Sequence, residues 1–230
     1  TLNDPQTTNH QQRSLALRRS LVTADPQNLQ AQRDLAHALL HQPDHNSLRQ
    51  ALAIVDQHLS SNPGSLTTQR DASLAHQRLG DNLLANNQVL QAATHYRRSL
   101  QLAQQCQATD PTSLPAIQQL ANAHLKLGQA LPRLADPAGA LDNLQRAVSL
   151  LDQAARQDTG STLLRRDRAL ALFHLGRHLL ATSSAPALTN LTQANAQLEA
   201  LNNANQLPPE DRPLLEELRR TLHQARSNTP

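Results

Sequence analysis

Residues 79–100 read LGDNLLANNQVLQAATHYRRSL, and this stretch decides the fold. Leu79, Leu83 and Leu84, with Leu74 upstream, recur at helical spacing. The polar pair Asn86-Asn87 interrupts the pattern. Val89, Ala92, Ala93, Tyr96, Leu100 and Ala103 then form a second apolar face. Two amphipathic helices with a short polar turn between them make a helical hairpin. Working outward, Ser65 follows the Pro63-Gly64 break and suits a helix N-cap, and Asp110-Pro111 stops the second helix.

The unit recurs. Leu-Gly appears at Leu79-Gly80, Leu127-Gly128 and Leu175-Gly176, and 128 − 80 = 176 − 128 = 48. Asn62-Pro63, Asp110-Pro111 and Asp158-Thr159 keep the same spacing, with Asp25-Pro26 lying 37 residues before Asn62-Pro63. A third marker, Arg-Asp, stands at Arg33-Asp34, Arg70-Asp71 and Arg166-Asp167. Asp136 and Ser161 are the expected caps in the later units, with Pro137 at a first helical position. Glycine inside a helix is about 1 kcal/mol worse than alanine, so three in register imply close helix approach. Ala92 and Ala140, each 12 residues beyond its glycine, are the expected facing positions.

Composition agrees with helices. Tyr96 and Phe173 are the only aromatic residues of the 230, and the apolar content is mainly Leu and Ala. Strand-like alternation is hard to find. Mean hydropathy is −0.55, and no stretch nears the roughly 20 apolar residues of a membrane helix. Cys106 stands alone, which excludes an internal disulfide and a multi-cysteine zinc site. Lys126 is the sole lysine, and the arginine bias reads as coding bias in a GC-rich bacterium. The start at Thr1, in a sequence without Met, leads us to expect a larger parent protein or a processed precursor.

The fold class expected is all-α, a solenoid of antiparallel hairpins. Repeats span 27–63, 64–111, 112–159 and 160–206 within one solenoid over 9–230. A capping helix covers 208–226, with Leu214, Leu215, Leu218 and Leu222 on one face and Glu216, Glu217, Arg219 and Arg220 on the other. Residues 1–8 and 227–230 are expected to be disordered tails.

Leu79, Gly80, Ala92 and Tyr96, closed by Asp110-Pro111, resemble the tetratricopeptide repeat. Leu127, Gly128, Ala140, Leu144 and Ala147 follow the same pattern. The first unit has Pro43 where glycine should be, and the fourth has Leu188 and Thr192 at the later positions. The usual tryptophan is replaced by His76, His124 and Leu172. The resemblance covers roughly 29–204 and implies a right-handed solenoid of about four repeats. The longer period resembles the arrays that follow bacterial eukaryotic-like serine/threonine kinase domains; Arg70-Asp71-Ala72 and Leu79-Gly80-Asp81-Asn82-Leu83 carry that likeness. It implies a segment of a signalling protein, outside the cytoplasm if a membrane helix separates it from a kinase and otherwise cytoplasmic. No glycine-rich loop or His-Arg-Asp catalytic loop is present.

No residue pattern singles out a catalytic, cofactor or metal site. His37/His41 and His174/His178 are four apart but lack a third ligand. Arg165, Arg166 and Arg168, with Arg97-Arg98, keep a nucleic-acid reading open through a sequence pI of 9.9, but stacking aromatics are missing. Cys106, near a helix C-terminus, reads as inert packing. The family resemblance implies a concave groove lined by first helices. Matching positions are Gln77, Arg78, Asp81 and Leu84; Leu125, Lys126 and Gln129; and Phe173, His174, Arg177 and Leu180. The Lys/Asn carboxylate clamp of chaperone-binding members is absent from these positions. The expected function is a non-enzymatic protein-protein interaction module, with another protein or a peptide as partner. The alternatives are an oligomerisation scaffold, such as a homodimer, and nucleic-acid binding.

Overall fold

The structure, a computed structural model, describes residues 5–227. Among them are ten α-helices and no strand. They run α1 (Pro5–Ala24), α2 (Leu29–Leu40), α3 (His45–Ser61), α4 (Leu66–Ala85) and α5 (Val89–Thr109). Then follow α6 (Leu114–Ala130), α7 (Pro137–Gln157), α8 (Thr162–Leu179), α9 (Ser184–Asn203) and α10 (Arg212–Ser227), with 3-10 turns at Leu131–Leu134 and Pro209–Asp211. Of the tail expected at 1–8, residues 5–8 are the first turns of α1 and 1–4 lie outside the described residues. Ser227 ends α10, and 228–230 also lie outside. The chain divides into two compact units between Cys106 and Gln107.

The local signals work as the sequence predicts. Ser65, Asp136 and Ser161 each accept a backbone N–H of the first turn, as do Asn28 and Asp44. Asn87 takes the left-handed conformation at φ 62° and turns α4 into α5.

Hairpins close around the in-register glycines. A Cβ on Gly80 would lie 2.6 Å from Cε1 of Tyr96, and one on Gly128 would lie 2.8 Å from Cγ of Leu144. Side-chain volume that the second helix occupies is volume the glycine gives up. The residue 16 beyond each glycine fills that space, while the Ala140 carbonyl backs it at 3.3 Å. In the fourth hairpin the sequence places Leu188 and Thr192 opposite Gly176. The structure corrects this to Ala187 and Leu191, one residue earlier. From glycine to the start of the second helix is one residue less here (184 − 176 = 8, against 89 − 80 = 137 − 128 = 9), and the contact is kept. These are tetratricopeptide-like hairpins.

Within unit 1, α2 packs on α3 and α3 on α4. Ser73 and Ser99, both buried, share a 2.9 Å hydrogen bond between α4 and α5. In unit 2, Ile117, Leu125, Leu144 and Leu151 pack with Leu164, Leu175 and Leu179. Leu172 and Phe173 join Leu191, Leu198, Leu215 and Leu218 in the neighbouring cluster that α10 covers.

The Arg-Asp marker has a structural role. In unit 1, Arg33 Nε of α2 donates to Asp71 Oδ2 of α4 at 2.6 Å. In unit 2, Gln118 Nε2 of α6 donates to Asp167 Oδ2 of α8 at 2.6 Å, and Arg166 Nη2 of α8 donates to Asp211 Oδ1, ahead of α10, at 2.9 Å. Each is a rung from one first helix to the next. Arg166 and Asp167 are neighbours in sequence yet serve different rungs. The acceptors are buried, with Asp71 8%, Asp167 5% and Asp211 7% exposed, and burial raises the Asp167 carboxyl above its usual range.

Candidate protein-binding site

Three first helices carry the residues expected in a groove, at positions 48 apart. Gln77 on α4, Leu125 on α6 and Phe173 on α8 are buried. Assigning these three to a groove is corrected. Leu125 and Phe173 belong to the two clusters of unit 2, because a helix packed between neighbours on both sides keeps only a narrow strip in solvent. The next positions keep contact with solvent on each helix. Arg78 and Arg177 are exposed, and Asp81, Lys126, Gln129 and His174 are half-buried. Leu84 and Leu180 are also half-buried, with Leu180 packed against both clusters of unit 2. Asp81 accepts the Tyr96 hydroxyl at 2.8 Å, which ties this position to its own hairpin.

Within unit 2, Gln129, His174 and Arg177 come together. A recess of about 450 Å³ opens between the C-terminal parts of α6 and α8. Gln129, His174, Arg177, His178 and Thr182 provide its polar groups, and Gly128, Pro132, Leu144 and Ala181 its apolar wall. Burial holds the His174 imidazole down to about 4, and the nearby Arg177 and Lys126 cations push the same way. His174 is therefore neutral at physiological pH. The Arg177 guanidinium lies 5.6 Å from the Phe173 ring centroid and donates to Glu217 Oε1 of α10 at 2.7 Å. Both partners are about half exposed, so the ion pair is weak and exchangeable. The recess offers a neutral imidazole, an amide and a guanidinium in an exposed ion pair, groups able to hydrogen-bond and to pair with charge.

In unit 1 a second recess, of about 520 Å³, lies among α3, α4 and α5. His45, Arg49, Asp56 and His95 surround a floor of Leu79 and Leu83. His95 and His76 meet through their Nδ1 atoms at 2.9 Å, and burial lowers both, His76 to about 4. Burial raises the Asp56 carboxyl. A third, of about 630 Å³, lies between α1 and α2. The sequence reading included neither. The signal for the third was present in the Arg33-Asp34 marker.

The remaining candidates are internal. Arg166 pairs with Asp211 and Arg168 with Asp152, while Arg98 donates to Gln101, so these cations already have partners in the fold. Cys106 is buried, its S–H 3.4 Å from Gln69 Oε1, and burial pushes its thiol up. His37 Nε2 lies 3.1 Å from Asp71 Oδ1. Among the described residues, no group of three His, Cys, Asp or Glu side chains could hold a metal ion. No helix there is long and apolar enough to cross a membrane.

No family model matches the sequence, and no curated protein does. Solved structures do. The crystal structure of BtubC (BKLC) from P. vanneervenii matches at a TM-score of 0.64 and 16% identity, over 94% of this chain and 80% of that one. TTC0263, described as a thermophilic TPR protein in Thermus thermophilus, matches at 0.47 and 19% identity, over 95% and 92%. YrrB, described as a TPR protein with an unusual peptide-binding site, also matches at 0.47 and 19%, over 92% and 93%. With the glycine-centred hairpins, the likeness to BtubC shows the fold, a tetratricopeptide-like helical repeat.

Proposed function

We propose that this chain is a non-catalytic protein-protein interaction module. In this reading it is a regulatory or sensory segment of a larger bacterial signalling protein, and it takes an extended peptide along α6 and α8. The observation that carries the proposal is Arg177, held at the rim of the α6–α8 recess by one half-exposed carboxylate, Glu217. A peptide carboxylate can replace Glu217 at little electrostatic loss, because an exposed pair is worth only about 0–1 kcal/mol. Gln129 and Thr182 then offer hydrogen bonds to peptide backbone, and the wall at Pro132 and Leu144 takes a small apolar side chain.

A random peptide display library, selected on the purified chain, tests this. Selected peptides should be enriched in Asp or Glu. Their affinity, read by fluorescence anisotropy, should fall about tenfold or more with Arg177→Glu and rise with Glu217→Gln, tenfold being about 1.4 kcal/mol. Peptides that bind Arg177→Glu as well as wild type would move the site elsewhere. No enriched peptide, together with concentration-dependent mass in sedimentation, would replace this reading with an oligomerisation scaffold.

A further inference from the structure

One contact between α4 and α5 joins two titratable rings. Nδ1 of His76 lies 2.9 Å from Nδ1 of His95, an ordinary hydrogen-bond separation. His76 is 8% exposed and His95 is half-buried. A neutral imidazole carries one N–H and one bare nitrogen, whereas an imidazolium carries two N–H groups. Two Nδ1 atoms in contact therefore share a single N–H. Asp56 Oδ1 of α3 lies 3.9 Å from Nε2 of His76, which favours a proton at that nitrogen. Nδ1 of His76 is then the acceptor, and Nδ1–H of His95 donates to it.

The next hairpin provides a control. His124 of α6 and Asn143 of α7 stand 48 residues beyond His76 and His95. His124 Nδ1 lies 2.8 Å from Asn143 Oδ1, and Asn143 Nδ2 donates to the Gly139 carbonyl, so His124 is the donor. It can donate whether neutral or protonated. His124 is 7% exposed, which matches the burial of His76. The two pairs differ in the acceptor: an amide oxygen that does not titrate, against an imidazole nitrogen that does.

A first proton added to the His76–His95 pair goes to the bare Nε2 of His95, and the bond survives. A second has only the Nδ1 lone pair of His76 to take, and that lone pair is the bond. Two N–H groups then face each other in a largely buried contact. The surrounding charges in unit 1 add to the effect. Arg98 of α5 disfavours charge on His76, His45 of α3 disfavours it on His95, and Arg49 of α3 lines the same recess. Asp56 favours charge on His95, but burial raises its carboxyl, so acid weakens this compensation sooner than for an ordinary carboxylate. Burial lowers both imidazoles, His76 to about 4. One turn beyond His76 is Gly80, and next to His95 is Tyr96, the contact on which this hairpin closes.

We propose that the His76–His95 pair is an acid-operated latch on the α4–α5 hairpin. It is closed while the two rings hold two or three N–H groups and open when they hold four. Opening loosens the Gly80–Tyr96 contact and the floor of the adjoining recess at Leu79 and Leu83.

Hydrogen exchange of the whole chain at pH 7 and pH 4, corrected for the intrinsic effect of pH on amide exchange, tests the latch. On acidification, protection across 76–100 should fall about tenfold or more further than across the equivalent 124–148. His95→Asn gives this hairpin the pair of the next one and should bring the two losses to within about twofold of each other, with circular dichroism at pH 7 checking that the variant folds. Ring nitrogen shifts of the unaltered chain need no variant. At pH 7 they should show Nδ1–H on His95 and Nε2–H on His76, and on acidification two separate titration steps. Equal losses of protection in the two segments, an undiminished difference in His95→Asn, or both rings titrating together near the ordinary 6.5 would overturn the proposal.

Discussion

α1 and α10 both lie at the side of a hairpin, and they finish it differently. α10 turns Leu215, Leu218, Leu222 and Ala225 onto α8 and α9 and presents Glu216, Arg219 and Arg220 outward. Its preceding turn supplies Asp211, which buries the last rung under Arg166. α1 leaves Leu17 and Leu21 in water, and its neighbour α2 leaves Asp34 without an interhelical donor among the described residues. One arrangement buries its marker carboxylate under a donor from another element; the other leaves the equivalent carboxylate exposed and bonded within its own helix. Identical sequence motifs can thus be structural at one position and exposed at another, and burial of the carboxylate separates the two.

The comparison can be broken at three strengths. The largest effect is expected from leucines. Leu218→Ala should destabilise the chain by about 3 kcal/mol in urea or guanidinium unfolding, as buried leucines do, while Leu17→Ala should change it by less than about 0.5 kcal/mol. Equal losses would mean that α1 buries its outer leucines in solution. Next come the rungs. Asp211→Ala strands a half-buried Arg166 and should remove about 2 kcal/mol, whereas Asp34→Ala should be nearly silent in the same assay. A silent Asp211→Ala would reduce the rungs to surface decoration.

The smallest effect is a pH dependence. His76 in unit 1 and His174 in unit 2 are both held to about 4 by burial, below the ordinary 6.5. The unfolded chain therefore takes up these protons first. Their contribution is complete above about pH 7 and declines as pH falls through the window from 6.5 to about 4, where the folded chain protonates as well. Thermal melts across that window should show the decline, and His76→Gln or His174→Gln should each flatten part of it. A melting temperature that rises on acidification would contradict the assignment.

Much of this fold was legible because the strongest punctuation is backbone chemistry. Gly80, Gly128 and Gly176, and the Asp-Pro or Asn-Pro closures, mark hairpins whatever the side chains around them do. The burial of the expected groove positions was legible only in part. Gln77, Leu125 and Phe173 differ in polarity, so their shared burial does not follow from hydrophobicity. It follows from helix packing on two sides. The Arg-Asp marker was visible as a period, but its meaning was hidden, because adjacent residues bond to helices on opposite sides. The recess between α1 and α2 depends on which surfaces lack a neighbour, a property that no local stretch encodes.

The fourth hairpin shows how such a chain tolerates genetic change. Gly176 meets Leu191 although α9 starts one residue earlier after the glycine than a strict 48-residue register requires. A one-residue change of spacing is absorbed when the second helix shifts its numbering and keeps its contact. The touching pair is the structural constraint, and the spacing is looser. Hairpins exchanged between positions should survive recombination when glycine, turn and facing residue travel as one cassette. Crossovers placed inside the turn should separate side chains that fit one another.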